Sequence, residues 1–180
     1  MKREAKRGTR LYNLIFPIWL LLSPLVLPIS ALIPAFMVIF LIALVGNFAI
    51  DTLVVWLSLR LQHITDARQQ TKKVIIKVWL YGFLADLLGA ILMLGAAMAT
   101  SEANYDFHAA LMYTSPFNYM PAALFALLCV IVTGVLIYRF NSRKALVDAD
   151  LDDRTRRLTA LTMAIITAPW TFLLPTGLFY

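Results

Sequence analysis

Long apolar runs separated by short polar segments dominate the pattern of this chain. Five of the runs are about 20 residues long or longer, the length that an α-helix needs to cross a hydrocarbon core about 30 Å thick. They lie at about residues 11–29, 34–59, 74–98, 121–140 and 158–180. The pattern predicts an all-α fold: an integral membrane bundle of five transmembrane helices, forming a single membrane domain over residues 1–180. The segments between the helices are an outer loop at 99–120 and inner loops at 60–73 and 141–157.

The first two runs are divided by proline rather than by charge. Between residues 11 and 59 the only formal charge is Asp51, whereas Pro24, Pro28 and Pro34 lie in the middle of the stretch. Because proline removes a backbone donor and interrupts helices, we expect a tight hairpin at 28–34, with Pro34 opening the second helix. A re-entrant first segment is the alternative.

The N-terminal basic tail followed by an apolar run also has the outline of a signal peptide. The apolar region is longer than the usual 7–15 residues, and a second hydrophobic run follows it directly. We therefore expect the segment to be retained as a helix.

Composition agrees with a membrane protein and excludes a soluble globular one. Hydrophobic residues make up 61% of the chain and charged residues only 14%, against roughly 45–50% and about 25% in soluble domains. The net charge is +6, but the basic residues cluster at the ends of apolar runs. This arrangement favours anionic lipid headgroups as the partner, and not nucleic acid.

The positions of lysine and arginine predict the orientation. Five lie in the N-terminal tail, five at 60–77 and six at 139–157, which accounts for all 16, and the loop 99–120 holds none. Under the positive-inside rule the N-terminus is cytoplasmic and the C-terminus is outside.

Four polar residues within the predicted spans are the candidates for function. They are Asn47 and Asp51 on the second span, and Lys77 and Asp86 on the third. A charge in mid-bilayer costs at least about 2.5–3.5 kcal/mol, so such side chains normally face a bundle interior or a wet cavity. We therefore expect these residues to face inward.

Small residues on the same helix faces indicate where the spans pack. Ala43 lies one turn before Asn47, and Gly82 and Gly89 lie on either side of Asp86. Small side chains let helix backbones approach closely in membranes. The second and third spans are thus expected to meet along the faces that carry the two acids.

Two interpretations of the intramembrane acids remain open. They are either polar contacts that hold helices together, with Lys77 in reach of Asp51, or the lining of an ion or proton path. A weak inverted similarity between 46–51 and 82–86 is of the kind found in transporters. The sequence contains no nucleophile–base pairing, zinc motif or phosphate loop, so we expect no enzyme activity, no metal site and no cofactor.

The loops are less informative. Helical spacing of apolar residues in 99–120 predicts a short helix on the outer surface. Four aspartates at 148–153 resemble a calcium loop, but the glycine and glutamate that such a loop requires are replaced. Acids paired with arginines four residues later instead predict that the fifth helix begins there.

Four patches resemble a group of small, uncharacterised multi-pass membrane proteins of Gram-positive bacteria. They are residues 11–20 (LYNLIFPIWL), 46–51 (GNFAID), 77–86 (KVWLYGFLAD) and 168–170 (APW). The resemblance implies a bacterial inner (plasma) membrane location and carries no activity with it.

Two functions are consistent with these observations. One is a small transport or channel-like protein with a polar path lined by Asn47, Asp51 and Asp86. The other is a non-catalytic accessory or assembly subunit of a membrane complex, which uses the same polar faces for helix packing. Both predict a homo-oligomer or association with other membrane subunits, because five helices enclose only a narrow interior.

Overall fold

The computed structural model describes residues 29–175, and within this range the chain is helical and contains no strand. Its α-helices are α1 (Ile29–Leu61), α2 (Ala67–Ala99), α3 (Tyr105–Met112), α4 (Met120–Phe140) and α5 (Asp153–Ile166). Short helical turns lie at Pro116–Asn118, Asn141–Ala145, Leu146–Asp148 and Trp170–Leu173. The all-helical class predicted from the sequence is confirmed.

Among the described residues, three helical stretches are long and apolar enough to cross a membrane: Leu44–Leu61, Ala67–Ala99 and Met120–Asp148. They correspond to the second, third and fourth predicted spans. The first predicted span, 11–29, lies outside the described residues except for its last position. The five α-helices described are therefore not the five predicted spans, since α3 is a short surface helix of eight residues.

The predicted hairpin at 28–34 is replaced by helix over its described part. α1 begins at Ile29, five residues before the expected start at Pro34. Pro34 lies near the N-terminus of a 33-residue helix, where its missing N–H removes a single backbone hydrogen bond. The inner loop 60–73 is also shorter than expected, because α2 already begins at Ala67.

The fifth predicted span, 158–180, is not one continuous α-helix. α5 has 14 residues, about 21 Å at 1.5 Å per residue, and it ends at Ile166. Pro169 follows the end of the helix, and Trp170–Leu173 forms a separate 3-10 helix. The helix therefore ends before Pro169.

The helices pack as a ring of four, in which α2 contacts α1 and α4, and α5 contacts α4 and α1. One buried apolar cluster joins α1, α2, α4 and α5, with Val55, Val78, Ile137 and Met163 among its members. A second cluster joins α2, α3 and α4 and includes the single cysteine, Cys129.

Large apolar side chains are exposed along the outer faces of the long helices. Ile42 on α1, Ile76 on α2 and Ile131 on α4 each have more than half of their surface accessible. Soluble monomers rarely expose apolar patches that extend over whole helices. These faces fit a lipid surround.

Candidate functional site

The predicted acids lie on facing surfaces of α1 and α2. Asp51 is 3% exposed, and a Cβ placed on Gly82 would lie 3.6 Å from its Oδ2 atom. The missing side chain at Gly82 therefore leaves room for the Asp51 carboxyl group. Asp86 follows Gly82 by one helical turn and is partly buried.

Asp51 and Asp86, called the acid pair from here on, have few polar neighbours. The Oδ1 atom of Asp86 is buried and accepts no hydrogen bond. Within residues 29–175, no group donates a hydrogen bond to Asp51 either. Asp51 lies beside Gly82 and Asp86 is one turn further along α2, so both carboxyl groups lie at the α1–α2 contact. Two negative charges repel strongly where water is scarce. A proton or a small cation held at the pair would relieve this repulsion.

A tryptophan side chain also lies in the α1–α2 contact. Trp79 packs edge to face on Phe48, with ring centroids 6.0 Å apart and planes at 84°. Its indole Nε1–H is buried and donates to no acceptor. Among the described residues, the α1–α2 contact therefore holds an unused donor and, two turns further along α2, an unused acceptor.

The other polar candidates lie apart from the acid pair or at its edge. Asn47 is partly exposed one turn from Asp51 on α1. Lys77 does not pair with Asp51; its Nζ atom forms an ion pair with Asp148 Oδ2, and about half of each side chain is exposed. The long lysine side chain extends away from the apolar interior toward the polar end of its helix, as lysines near helix ends in membranes commonly do.

The three predicted packing residues differ in their surroundings. Gly89 is buried, and a Cβ there would overlap Thr133 Oγ1 and approach Phe172 Cε2 to 3.3 Å. Gly82 faces Asp51, so the two glycines contact different helices. The prediction for Ala43 concerns a side chain outside those that the structure describes.

Thr133 and Asn141 are buried polar residues that the sequence reasoning missed. Thr133 lies on α4, is fully buried and donates to the carbonyl of Cys129 at 2.8 Å. Asn141 is also fully buried, and neither polar atom of its amide has a partner within the described part of the chain. It opens a π-helical turn, Asn141–Ala145, and such turns are frequent at functional positions. Asn141 is a single polar residue between an apolar run and a basic segment, so the sequence pattern did not indicate that it is buried.

The two ends of the bundle differ in charge. The segments 60–77 and 139–157, called the basic end, are joined by the Lys77–Asp148 ion pair and by Gln70 Oε1, which accepts from Asp150 N at 3.0 Å. Asp152 caps α5 by accepting from the backbone of Arg154 and Thr155. Asp153 pairs with Arg156 rather than with Arg157.

The short outer helix expected in 99–120 is present as α3, against α2 and α4. Within the described part of the chain, no group of three or more metal-binding side chains comes together. No family model, no curated protein and no solved structure matches the chain.

Proposed function

We propose that this chain is a small transport protein of a bacterial plasma membrane, in which Asn47, Asp51 and Asp86 line a polar path for protons or small cations. The observation that carries the proposal is the acid pair. Two neighbouring carboxyl groups lie in an apolar bundle, and no described group donates a hydrogen bond to Asp51 or to Asp86 Oδ1. Polar groups that only hold helices together are normally hydrogen-bonded, so the unpaired oxygens favour a site that binds and releases something.

The proposed topology has five crossings, with the N-terminus in the cytoplasm and the C-terminus outside. The contacts at the basic end support it, because they bring both described basic segments to one end of the bundle. The loop 99–120 at the other end has no lysine or arginine, as the positive-inside rule requires. Interrupted helices are typical of transporters, so a fifth crossing divided between α5 and Trp170–Leu173 is consistent with transport.

Anionic lipid headgroups are the proposed partner of the basic end. Most acids there are already engaged: Asp148 by Lys77, Asp152 by the α5 backbone and Asp153 by Arg156. The exposed cations without such partners include Arg68, Lys72, Lys73, Arg143 and Lys144. Juxtamembrane cations of this kind gain about 1 kcal/mol each near an anionic surface.

Ion flux through proteoliposomes tests the transport proposal. We expect a proton or monovalent-cation gradient to decay at least about tenfold more slowly with Asp51→Asn or Asp86→Asn than with the unchanged protein. Asp150→Asn makes the same chemical change at the basic end and should leave the flux unchanged. Equal flux in all four proteins would refute the proposal.

An accessory or assembly subunit is the second candidate, and one observation favours it. The described outer face of α1 exposes Ile42, Val45 and Ile50 to between 51% and 66% of their full surface, which suits a partner helix as well as lipid. Crosslinking in native membranes distinguishes the two. Recovery of one defined partner, together with flux unaffected by the aspartate variants, would establish the subunit role; recovery of the chain alone or as a homo-oligomer would count against it.

A further inference from the structure

A pocket of about 400 Å³ lies at the end of the bundle opposite the basic end. It is formed by α3 and by the segment that leads into α4. Its lining consists of Asp106, Ala109, Ala110, Thr114, Asn118 and Tyr119. This volume lies in the range of small-molecule sites. The two alanines keep the space between the polar side chains open.

The pocket carries a negative charge with no compensating cation near it in sequence. Asp106 is exposed in the first turn of α3, and within the described residues no lysine, arginine or histidine forms an ion pair with it. The whole segment 99–120 contains no lysine or arginine. The local field therefore favours a cationic ligand and disfavours an anion.

The other residues that line the pocket favour an organic ammonium group over a metal ion. Tyr119 contributes an aromatic ring, and its hydroxyl accepts a hydrogen bond from Asn104 Nδ2 at 3.3 Å. Asn104 is itself held at the start of α3, because its Oδ1 accepts from Phe107 N at 3.0 Å. A fixed ring beside a carboxylate suits an ammonium group, which gains from both. One carboxylate is too few for tight binding of a divalent metal ion, which prefers several oxygen ligands.

We propose that this pocket binds a small organic amine, with the ammonium group on Asp106 and the carbon chain over Ala109 and Tyr119. The amide oxygen of Asn118 offers an acceptor for a remaining N–H group. The site lies at the opposite end from the basic segments and involves none of the intramembrane acids, so it stands whether or not the chain transports ions.

Binding of n-butylamine to the purified full chain in nanodiscs tests the proposal, with n-butanol and butyrate as neutral and anionic probes of similar size. At pH 7 we expect saturable, millimolar or tighter binding of n-butylamine by calorimetry, and none of the other two. Asp106→Asn should weaken binding at least about tenfold. Glu102→Gln removes the same charge from the same end without altering the pocket lining, and should bind as the unchanged protein does.

Ala109→Leu fills the pocket and leaves Asp106 in place, so it should also abolish binding. Binding that survives both Asp106→Asn and Ala109→Leu would overturn the proposal, as would an equal loss with Glu102→Gln, which would indicate diffuse electrostatic attraction. Absence of saturable binding by the correctly folded, unchanged chain would overturn it as well. Circular dichroism and thermal unfolding of each variant identify any that fail to fold.

Discussion

Two glycines on α2 face different helices, and their surroundings are opposite. At Gly89 the space that a side chain would occupy is already taken by Thr133 and Phe172. At Gly82 the corresponding space opens onto the Asp51 carboxyl group at ordinary van der Waals distance. The α2–α4 contact is therefore closed and tightly packed, whereas the α1–α2 contact keeps room beside a carboxyl group.

This difference separates a structural contact from a candidate site on one helix. Thr133 uses its hydroxyl within its own helix, on the Cys129 carbonyl. Asp86 and Trp79 keep polar atoms that no described group satisfies. A buried polar atom left without a partner costs about 1–3 kcal/mol, and such a cost is retained most readily where the group has a function.

The largest difference between the two contacts is expected when a methyl group is added at each of the two glycines in turn. Gly89→Ala should lower the free energy of unfolding by about 1–3 kcal/mol, because the Cβ would overlap Thr133 and force the helices apart. Gly82→Ala should change it by less than about 0.5 kcal/mol, because its Cβ meets Asp51 at an ordinary distance. Thermal or denaturant unfolding in detergent measures both.

Gly95→Ala on the same helix is the control, since no atom lies within 4 Å of its Cβ position. It should be neutral or slightly stabilising. Equal destabilisation at all three glycines would show that helix flexibility, and not packing, determines the result.

The second prediction concerns the partner of Gly89. Thr133→Ala removes the hydroxyl that an alanine at 89 would overlap, although the Cβ of residue 133 remains 3.3 Å from the added methyl group. Combining Thr133→Ala with Gly89→Ala should therefore restore part of the stability, with a coupling energy of about 1 kcal/mol, within the range found for contacting residues. Strict additivity in the double-mutant cycle would contradict direct packing between these positions.

The third prediction concerns the α1–α2 contact. Asp51→Asn should leave the free energy of unfolding unchanged or raise it by up to about 1 kcal/mol, because it replaces a buried carboxyl group that no described donor satisfies. Leu59→Ala on the same helix is the contrasting variant and should be clearly destabilising, since Leu59 is fully buried in the apolar core. A loss of more than about 1 kcal/mol in Asp51→Asn would instead favour the assembly role.

The smallest effect is expected at the basic end, where the described acids serve structure. Hydrogen bonds from the Thr155 side chain and backbone and from Arg154 N lower the pKa of Asp152 below its ordinary value of 3.8. The carboxylate therefore stabilises α5 fully above this value, and the stabilisation disappears as the pH falls through the lowered pKa.

Asp152→Ala should slightly lower the melting temperature at pH 7, because it removes the helix cap. Asp152→Asn still accepts hydrogen bonds at the cap, so its melting temperature should stay close to that of the unchanged protein. The difference between the unchanged protein and Asp152→Asn should begin to shrink as the pH falls below about 3.8 and should vanish once the pH is below the lowered pKa. A difference that persists in acid would assign the effect to packing and not to charge.

The sequence predicted best what depends on hydrophobic period and length. The fourth span, 121–140, matches α4 to within one residue, and the third, 74–98, lies wholly within α2. That Gly82 and Asp86 share one face of α2 also followed from local spacing, because residues four apart lie on the same side of a helix. These features are set within one or two turns of helix.

Features that depend on the path of the chain between helices were not predictable in the same way. Lys77 pairs with Asp148 because the turns after α4 bring residue 148 back to α2. The π-helical turn at Asn141 and the close approach of Gly89 to Thr133 depend on how α4 sits against α2. The spacing of residues within one helix does not determine how two distant segments are aligned with each other.

The wide turn Asn141–Ala145 takes up one more residue than an α-helix would use over the same rise. Deleting one residue after Asn141 would let α4 continue in regular register and would rotate the residues between the deletion and Asp148 by about 100° around the helix axis. Asn141 would keep its place, and Asp148 would face away from Lys77. A single codon therefore determines whether the turns after α4 bring Asp148 to Lys77.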